Sequence, residues 1–432
     1  MARLSYEQLN IIKQKLGVKQ LWSFSKASTY TQCSWLYLMK YIQKIRENGE
    51  NCYTWFGTVA HDLIQGLYEG EHTYGEMLTK FEDKVLEFNM LDNPKLKFPS
   101  DNEYANYLAN LRHYFANVEQ LPYKVVNEKP VLAVFEGDER YAFQGYIDSE
   151  YLDTETGKYV ILDYKTSSIS GFTGKKLLEK ARQLMIYASG LTMFGREVNG
   201  KMRSLSIEDI VIRYDMMKYL NVTYMQKNGT PKTTKAERRL WVGKIATPLR
   251  KDLEEAPKKM EAIEKEIRKL ERKHDAKVRT EEERVELRKE IVKLEEEHSK
   301  WVEHLYDPVE IGEMIEQAIE NNNLDNMPDY VKNKYTLSDC YIDVEITEEI
   351  LEDFRKELID ILNEVTAKSA EEDKEQAFMR GRIENSETYY CQNLCELRNK
   401  CKFFKEYKAN QSMFLDKTEA PSDADILSML GL

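Results

Sequence analysis

Two extended segments joined by a short polar turn constrain this chain more than any other feature. Gly145–Asp148 reads GYID, the turn is Asp153-Thr154-Glu155-Thr156-Gly157-Lys158, and Val160–Thr166 reads VILDYKT. Both flanks are apolar and β-prone and the turn contains glycine, which is the pattern of a β-hairpin. Pairing Asp153 with Lys158 across the turn sets Asp148 directly opposite Asp163. Side chains alternate along a strand, so Lys165 shares the face of Asp163. Two carboxylates and an ammonium then converge on one patch of sheet. Bare carboxylates that close repel each other, so the pair calls for a divalent cation. A lysine beside them can orient and activate a water.

Asp148, Asp163 and Lys165 in this order resemble the PD-(D/E)XK nuclease superfamily. In that family the first acidic residue and the D/E-x-K pair bind Mg²⁺ or Mn²⁺, and the lysine assists phosphodiester hydrolysis. Two more segments resemble its RecB-type exonuclease branch. Gly57-Thr58-Val59-Ala60-His61 looks like the G-x-x-x-H helix of that branch, and Gln183-Leu184-Met185-Ile186-Tyr187 like its Q-x-x-x-Y helix. A neutral imidazole can ligate a metal, and residues four apart share a helical face. The resemblance implies metal ligation by His61, Asp148, Asp163 and the Tyr164 carbonyl. It implies catalytic roles for Asp148, Asp163 and Lys165, with Gln183 and Tyr187 holding the lysine or the DNA strand. The fold expected is α/β (α+β): a central mixed sheet of the restriction-endonuclease-like nuclease fold, flanked by helices.

There are six cysteines, and three of them form a tight run, Cys391, Cys395 and Cys401, with Cys33 far upstream. Closely spaced thiolates read better as metal ligands than as a disulfide framework. Zinc and a 4Fe–4S cluster both accept four thiolates, and spacing does not separate them. The resemblance favours the cluster. One group of RecB-type nucleases, including AddB-type and CRISPR-adaptation nucleases, holds an iron–sulfur cluster with one cysteine before the core and three after it. Three residues separate Cys391 from Cys395, where two are usual in that group. Cys52 and Cys340 match nothing and read as non-ligands. Such a centre ties distant parts of the chain together and restrains the unfolded state.

The net charge of −12 argues against a generic nucleic-acid coat protein but not against a nuclease with an acidic metal site. Lys175 and Lys176, before the Gln183 helix, are candidate phosphate contacts. The basic stretch Lys227–Arg239 reads as a loop, either solvated or touching DNA. No apolar run approaches the ~20 residues of a membrane span, so the expectation is a soluble, cytoplasmic protein of a bacterial or phage-infected cell.

The chain reads as a lead-in (1–24), a nuclease core carrying the first cluster cysteine (25–245) and an inserted antiparallel helical hairpin (246–325). A C-terminal strand, helix and cysteine triad (326–410) and a flexible tail (411–432) follow. In the hairpin, Met260, Ile263, Ile267 and Leu270 recur at helical steps, as do Leu287, Ile291 and Leu294. Thr280 and Glu283 form a capping box that starts the second helix. The hairpin serves either as a strut or as an arm for a partner or DNA, and the tail's DADILSMLGL end reads either as a frayed terminus or as a docking peptide. The activity expected is a metal-dependent exonuclease acting on single-stranded DNA or a free DNA end, in recombination, repair or replication. A nuclease-fold DNA-end-binding or partner-binding subunit, active only within a larger complex, is the alternative. No G-x-x-x-x-G-K-[ST] sequence is present, so no helicase motor of that kind is expected.

Overall fold

Among the described residues are nine strands: β1 (Leu21–Trp22), β2 (Val126–Glu136), β3 (Arg140–Leu152), β4 (Tyr159–Lys165), β5 (Arg196–Val198), β6 (Lys201–Arg203), β7 (Ile210–Met225), β8 (Pro231–Glu237) and β9 (Tyr335–Val344). They belong to a computed structural model that describes residues 4–47, 51–91, 93, 96–226, 228–276 and 279–415. β3 pairs antiparallel with β2 and β4 and parallel with β1, and β4 neighbours β7. Helices flank this mixed sheet, so the α/β architecture is the one expected.

The turn between β3 and β4 closes for local reasons. Asp153 Oδ1 accepts from the Glu155 and Thr156 amides at 2.9 and 3.1 Å, and Gly157 takes a left-handed φ of 72° that suits glycine. The Asp153 amide then donates to Lys158 O at 2.9 Å. Tyr159 to Tyr164 are all buried, as in a strand covered on both faces.

The helix Gly174–Phe194 lies directly on this sheet. A Cβ at Gly190 would sit 2.1 Å from the Leu132 carbonyl oxygen of β2, so only glycine allows the approach. The helix Cys52–Glu69 starts with an Asn51 capping box and ends at Gly70 in the left-handed region.

The chain divides into two compact units. The first comprises Met1–Pro99, Glu119–Asp215 and Ile342–Leu432, and the second Ser100–Val118 and Met216–Tyr341. In the second, Leu220 and Val222 of β7 pack with Trp241, Val242, Ile245 and Leu249 of one helix and Ile311 and Ile315 of another. The helical hairpin lies here as Ala256–His274 and Glu281–Val302, and the Thr280–Glu283 capping box is formed. Ile263 and Leu270 are buried, whereas no side chain of Glu281–Val302 is.

One local expectation is corrected: β7 runs from Ile210 to Met225, and Pro231–Glu237, read as loop, is its antiparallel partner β8. Threonines drive this pairing: Thr223 and Thr233 sit opposite each other with hydroxyls 2.9 Å apart. Lys227 and the DADILSMLGL end lie outside the described residues.

Candidate active site and four-cysteine centre

The β3–β4 register brings the two acidic residues together. Ser149 pairs with Leu162, so the next rung sets Asp148 against Asp163. Asp163 is buried and ion-paired to Lys165 two residues on, and the Lys165 ammonium also lies 5.8 Å from the centre of the Tyr214 ring. His61 arrives from the Cys52–Glu69 helix. Its Nε2 is 2.9 Å from Tyr164 O, and its Nδ1 is 3.3 Å from Asp148 Oδ2. A carbonyl oxygen only accepts, so Nε2 carries a hydrogen. The contact on the other side needs one further proton, carried by His61 or Asp148.

Electrostatics match that geometry. Burial first, and then the neighbouring Asp163 charge, push the Asp148 carboxyl from 3.8 up to about 7. Burial works to lower the Lys165 ammonium, but Asp163 and Asp148 outweigh it and the net shift is upward. Lys165 therefore stays protonated and serves as a fixed positive charge on the site.

The helix Gly174–Phe194 adds Gln183, whose Nε2 donates to the Tyr187 hydroxyl at 2.8 Å. Tyr187 lies flush on β3: a Cβ at Gly145 would stand 2.4 Å from Tyr187 Cε1. Burial raises the Tyr187 hydroxyl to about 12, so it is a neutral donor. Lys175 and Lys176 are exposed in the first turn of the same helix.

Three residues that sequence reading passes over also shape the site. Asn127 Nδ2 donates to Gln65 O at 3.4 Å, and Asn127 Oδ1 accepts from Ser149 Oγ at 2.6 Å. Ser149 Oγ is in turn 3.1 Å from the Tyr164 hydroxyl. This buried chain ties the His61 helix to β2, β3 and β4. Glu128 of β2 stands between rungs Asn127–Ser149 and Lys129–Ile147, hence across from Asp148. Its φ is 48°, in the left-handed region that non-glycine residues avoid, and its charge adds to the forces raising Asp148. An acidic residue in a β-prone run is the only trace it leaves in the sequence.

A family model described as the PD-(D/E)XK nuclease superfamily matches residues 21–402. The chain belongs to the PD-(D/E)XK nuclease superfamily. The match spans both flanks of the site and reaches Cys33 and the closing cysteine run. No curated protein sequence matches the chain. Membership brings metal-dependent nuclease chemistry and DNA as the substrate class. Among the described residues no helix is long and apolar enough to cross a membrane.

The candidate site offers two carboxylates, an imidazole and a carbonyl oxygen, a donor set suited to a hard divalent ion. Among the described residues no three His, Cys, Asp or Glu side chains close on a single point. Burial and, after it, the Asp163 charge raise the Asp148 carboxyl, and a cation there would offset both.

The cysteines gather elsewhere in the same unit. Cys33, Cys391, Cys395 and Cys401 line one small cavity with Trp35, Leu36, Met39, Tyr390, Phe404 and Arg380. All are free thiols, and Cys52 and Cys340 are buried apart from that cavity. Cys33 Sγ accepts from the Leu36 amide at 3.4 Å. Arg380 Nη1 lies 3.4 Å from Cys33 Sγ and 4.0 Å from Cys391 Sγ. Burial raises the Cys391 and Cys401 thiols and pushes Cys395 up to about 11.

Proposed function

We propose that this protein is a RecB-type DNA exonuclease whose four-cysteine centre holds a 4Fe–4S cluster. The observation that carries the nuclease reading is the convergence of His61, Asp148, Asp163, Lys165 and the Tyr164 carbonyl. The exonuclease branch is supported by Gly57-x-x-x-His61 and Gln183-x-x-x-Tyr187, with Gln183 and Tyr187 hydrogen-bonded on one helix face.

Asp148, Asp163, His61 and the Tyr164 carbonyl are the groups that would hold Mg²⁺ or Mn²⁺. Bound there, the cation supplies Lewis acidity toward the scissile phosphate and an acidified water. Lys165, kept charged by Asp163, orients the attacking water and faces the charge that develops on the phosphoryl oxygens. Gln183 and Tyr187 present donors that fix the lysine or the strand, and Lys175 and Lys176 give phosphate contacts along it. Four cysteines around one cavity suit a 4Fe–4S cluster or zinc alike, and the choice of the cluster rests on the resemblance to RecB-type nucleases that carry one. The cluster then acts as a staple between Cys33 and the C-terminal run.

The test uses end-labelled single- and double-stranded DNA with Mn²⁺, comparing the protein with Asp163→Ala. Mononucleotide release by the parent and none by the variant is the expected result. Internal nicking of circular DNA at equal rate would remove the exonuclease reading. Iron and sulfide analysis with visible absorbance separates a cluster from zinc.

A further inference from the structure

We infer that Arg380 is a positioning residue for the four-cysteine centre, closing its cavity toward solvent and offsetting the charge of two of its sulfurs. The inference rests on the reading that this centre holds an iron–sulfur cluster.

Three observations carry it. First, Arg380 and Cys33 are the two residues that line both the enclosed cysteine cavity and an adjoining open groove. Cys33 is half-buried whereas Cys391, Cys395 and Cys401 are buried, so the exposed side of the centre is the side Arg380 covers. Second, one guanidinium nitrogen reaches both Cys33, from the start of the chain, and Cys391, from its end, at 3.4 and 4.0 Å. Third, Arg380 is held from behind. Its Nη2 donates to Glu387 Oε2 at 2.5 Å, and that carboxylate is itself fixed by the Glu384 amide at 3.0 Å. Only 11% of the Arg380 side chain is exposed, so the fork is a fixed part of the wall.

The chemistry follows from charge. A cluster ligated by four thiolates is anionic and becomes more so on taking up an electron. A buried cation donating to its sulfurs therefore favours the reduced state and raises the reduction potential. The guanidinium reaches two sulfurs through Nη1 and a carboxylate through Nη2, a spread across a planar fork that an ammonium's single nitrogen lacks. The same fork blocks the path from the groove to the cluster.

The experiment compares the full-length protein with Arg380→Gln, Arg380→Lys and Glu387→Gln, all purified without oxygen. Three quantities are read: iron and sulfide per chain, the cluster's midpoint potential by dye-equilibrated titration, and iron release to a chelator in air. Arg380→Gln should shift the midpoint to more negative values and release iron roughly 10–100-fold faster, the range typical of lost outer-shell partners. Arg380→Lys should hold the midpoint near the parent's yet release iron faster, because it keeps the charge and loses the fork. Glu387→Gln, which leaves the cluster's neighbours untouched, should fall between parent and Arg380→Gln and serves if that variant does not fold. An unchanged midpoint and release rate in both Arg380→Gln and Glu387→Gln, with a full cluster in each, overturns the role of Arg380 while leaving the cluster standing. A parent that holds zinc, or no iron and sulfide, removes the cluster itself and Arg380's role with it.

Discussion

Asp148→Asn should stabilise this protein at alkaline pH while abolishing its nuclease activity. The Asp148 carboxyl is pushed from 3.8 up to about 7, by burial and then by Asp163. The folded state thus binds a proton more tightly than the unfolded state does. The associated stability is full below the ordinary carboxylate pKa and is lost as pH rises through about 7. Roughly three units at ~1.36 kcal/mol each give a ceiling of about 4 kcal/mol. The side chain is 23% exposed, so solvent screening reduces this to roughly 2 kcal/mol at an effective dielectric near ~20. Asparagine has nearly the same shape and cannot ionise. The assay is chemical unfolding in chelator from pH 4 to pH 9, parent against variant. The two should coincide near pH 4, the variant should pull ahead as pH rises from there to about 7, and the gap should then hold constant to pH 9. Added Mn²⁺ should reverse the order, because the parent's carboxylates then gain a cation. A pH-independent gap, or a variant less stable at pH 9, would refute the raised Asp148 carboxyl.

Gly145→Ala places a methyl 2.4 Å from Tyr187 Cε1 and should cost ~1–3 kcal/mol by overpacking, together with activity as Gln183 loses its partner. Parent-like melting and turnover would show that Tyr187 can move without consequence. Lys165→Met should lower the cleavage rate by ~10²–10⁴-fold while leaving Mn²⁺ binding, read by calorimetry, within a few-fold of the parent. Lost Mn²⁺ binding would instead make the lysine a structural support for Asp163. Glu128→Gly relieves a left-handed backbone that carries ~1–3 kcal/mol for a non-glycine residue, so denaturant unfolding should show net stabilisation. Destabilisation would mean that the Glu128 side chain's own contacts outweigh that strain.

The geometry of the candidate site was legible because its parts are local. Asp148, Asp163 and Lys165 follow from one turn, and the turn follows from Asp153 and Gly157, whose chemistry is readable residue by residue. His61 and the Gln183–Tyr187 pair were legible through helical spacing and family resemblance, and the helices bring each pair of atoms to within 2.9 Å. The reading failed where pairing decides the structure over polarity. Thr233, Thr234 and Lys235 look like loop, yet the long β7 offers them a threonine-matched edge and they become strand.

Glu128 and Arg380 show a different limit. Each acts through a neighbour supplied by another segment: Asp148 across a strand rung for Glu128, and two sulfurs from opposite ends of the chain for Arg380. Strand register is a property of two segments together, so no window around Glu128 discloses that it faces a half-buried carboxylate. A left-handed glutamate inside a strand is equally invisible, because local propensity speaks against it. Such a conformation persists only where surrounding structure fixes it. Here the rungs on either side of Glu128 are paired, and Asn127 is bonded to both Ser149 and the His61 helix. Strain at Glu128 and repulsion at Asp148 thus occur on one rung and are held by one buried polar chain. Cation binding relieves the repulsion and leaves the backbone strain in place. Glu128→Gly and added Mn²⁺ should therefore stabilise the protein by separable amounts, and a Glu128→Gly variant that no longer responds to Mn²⁺ would tie the two together.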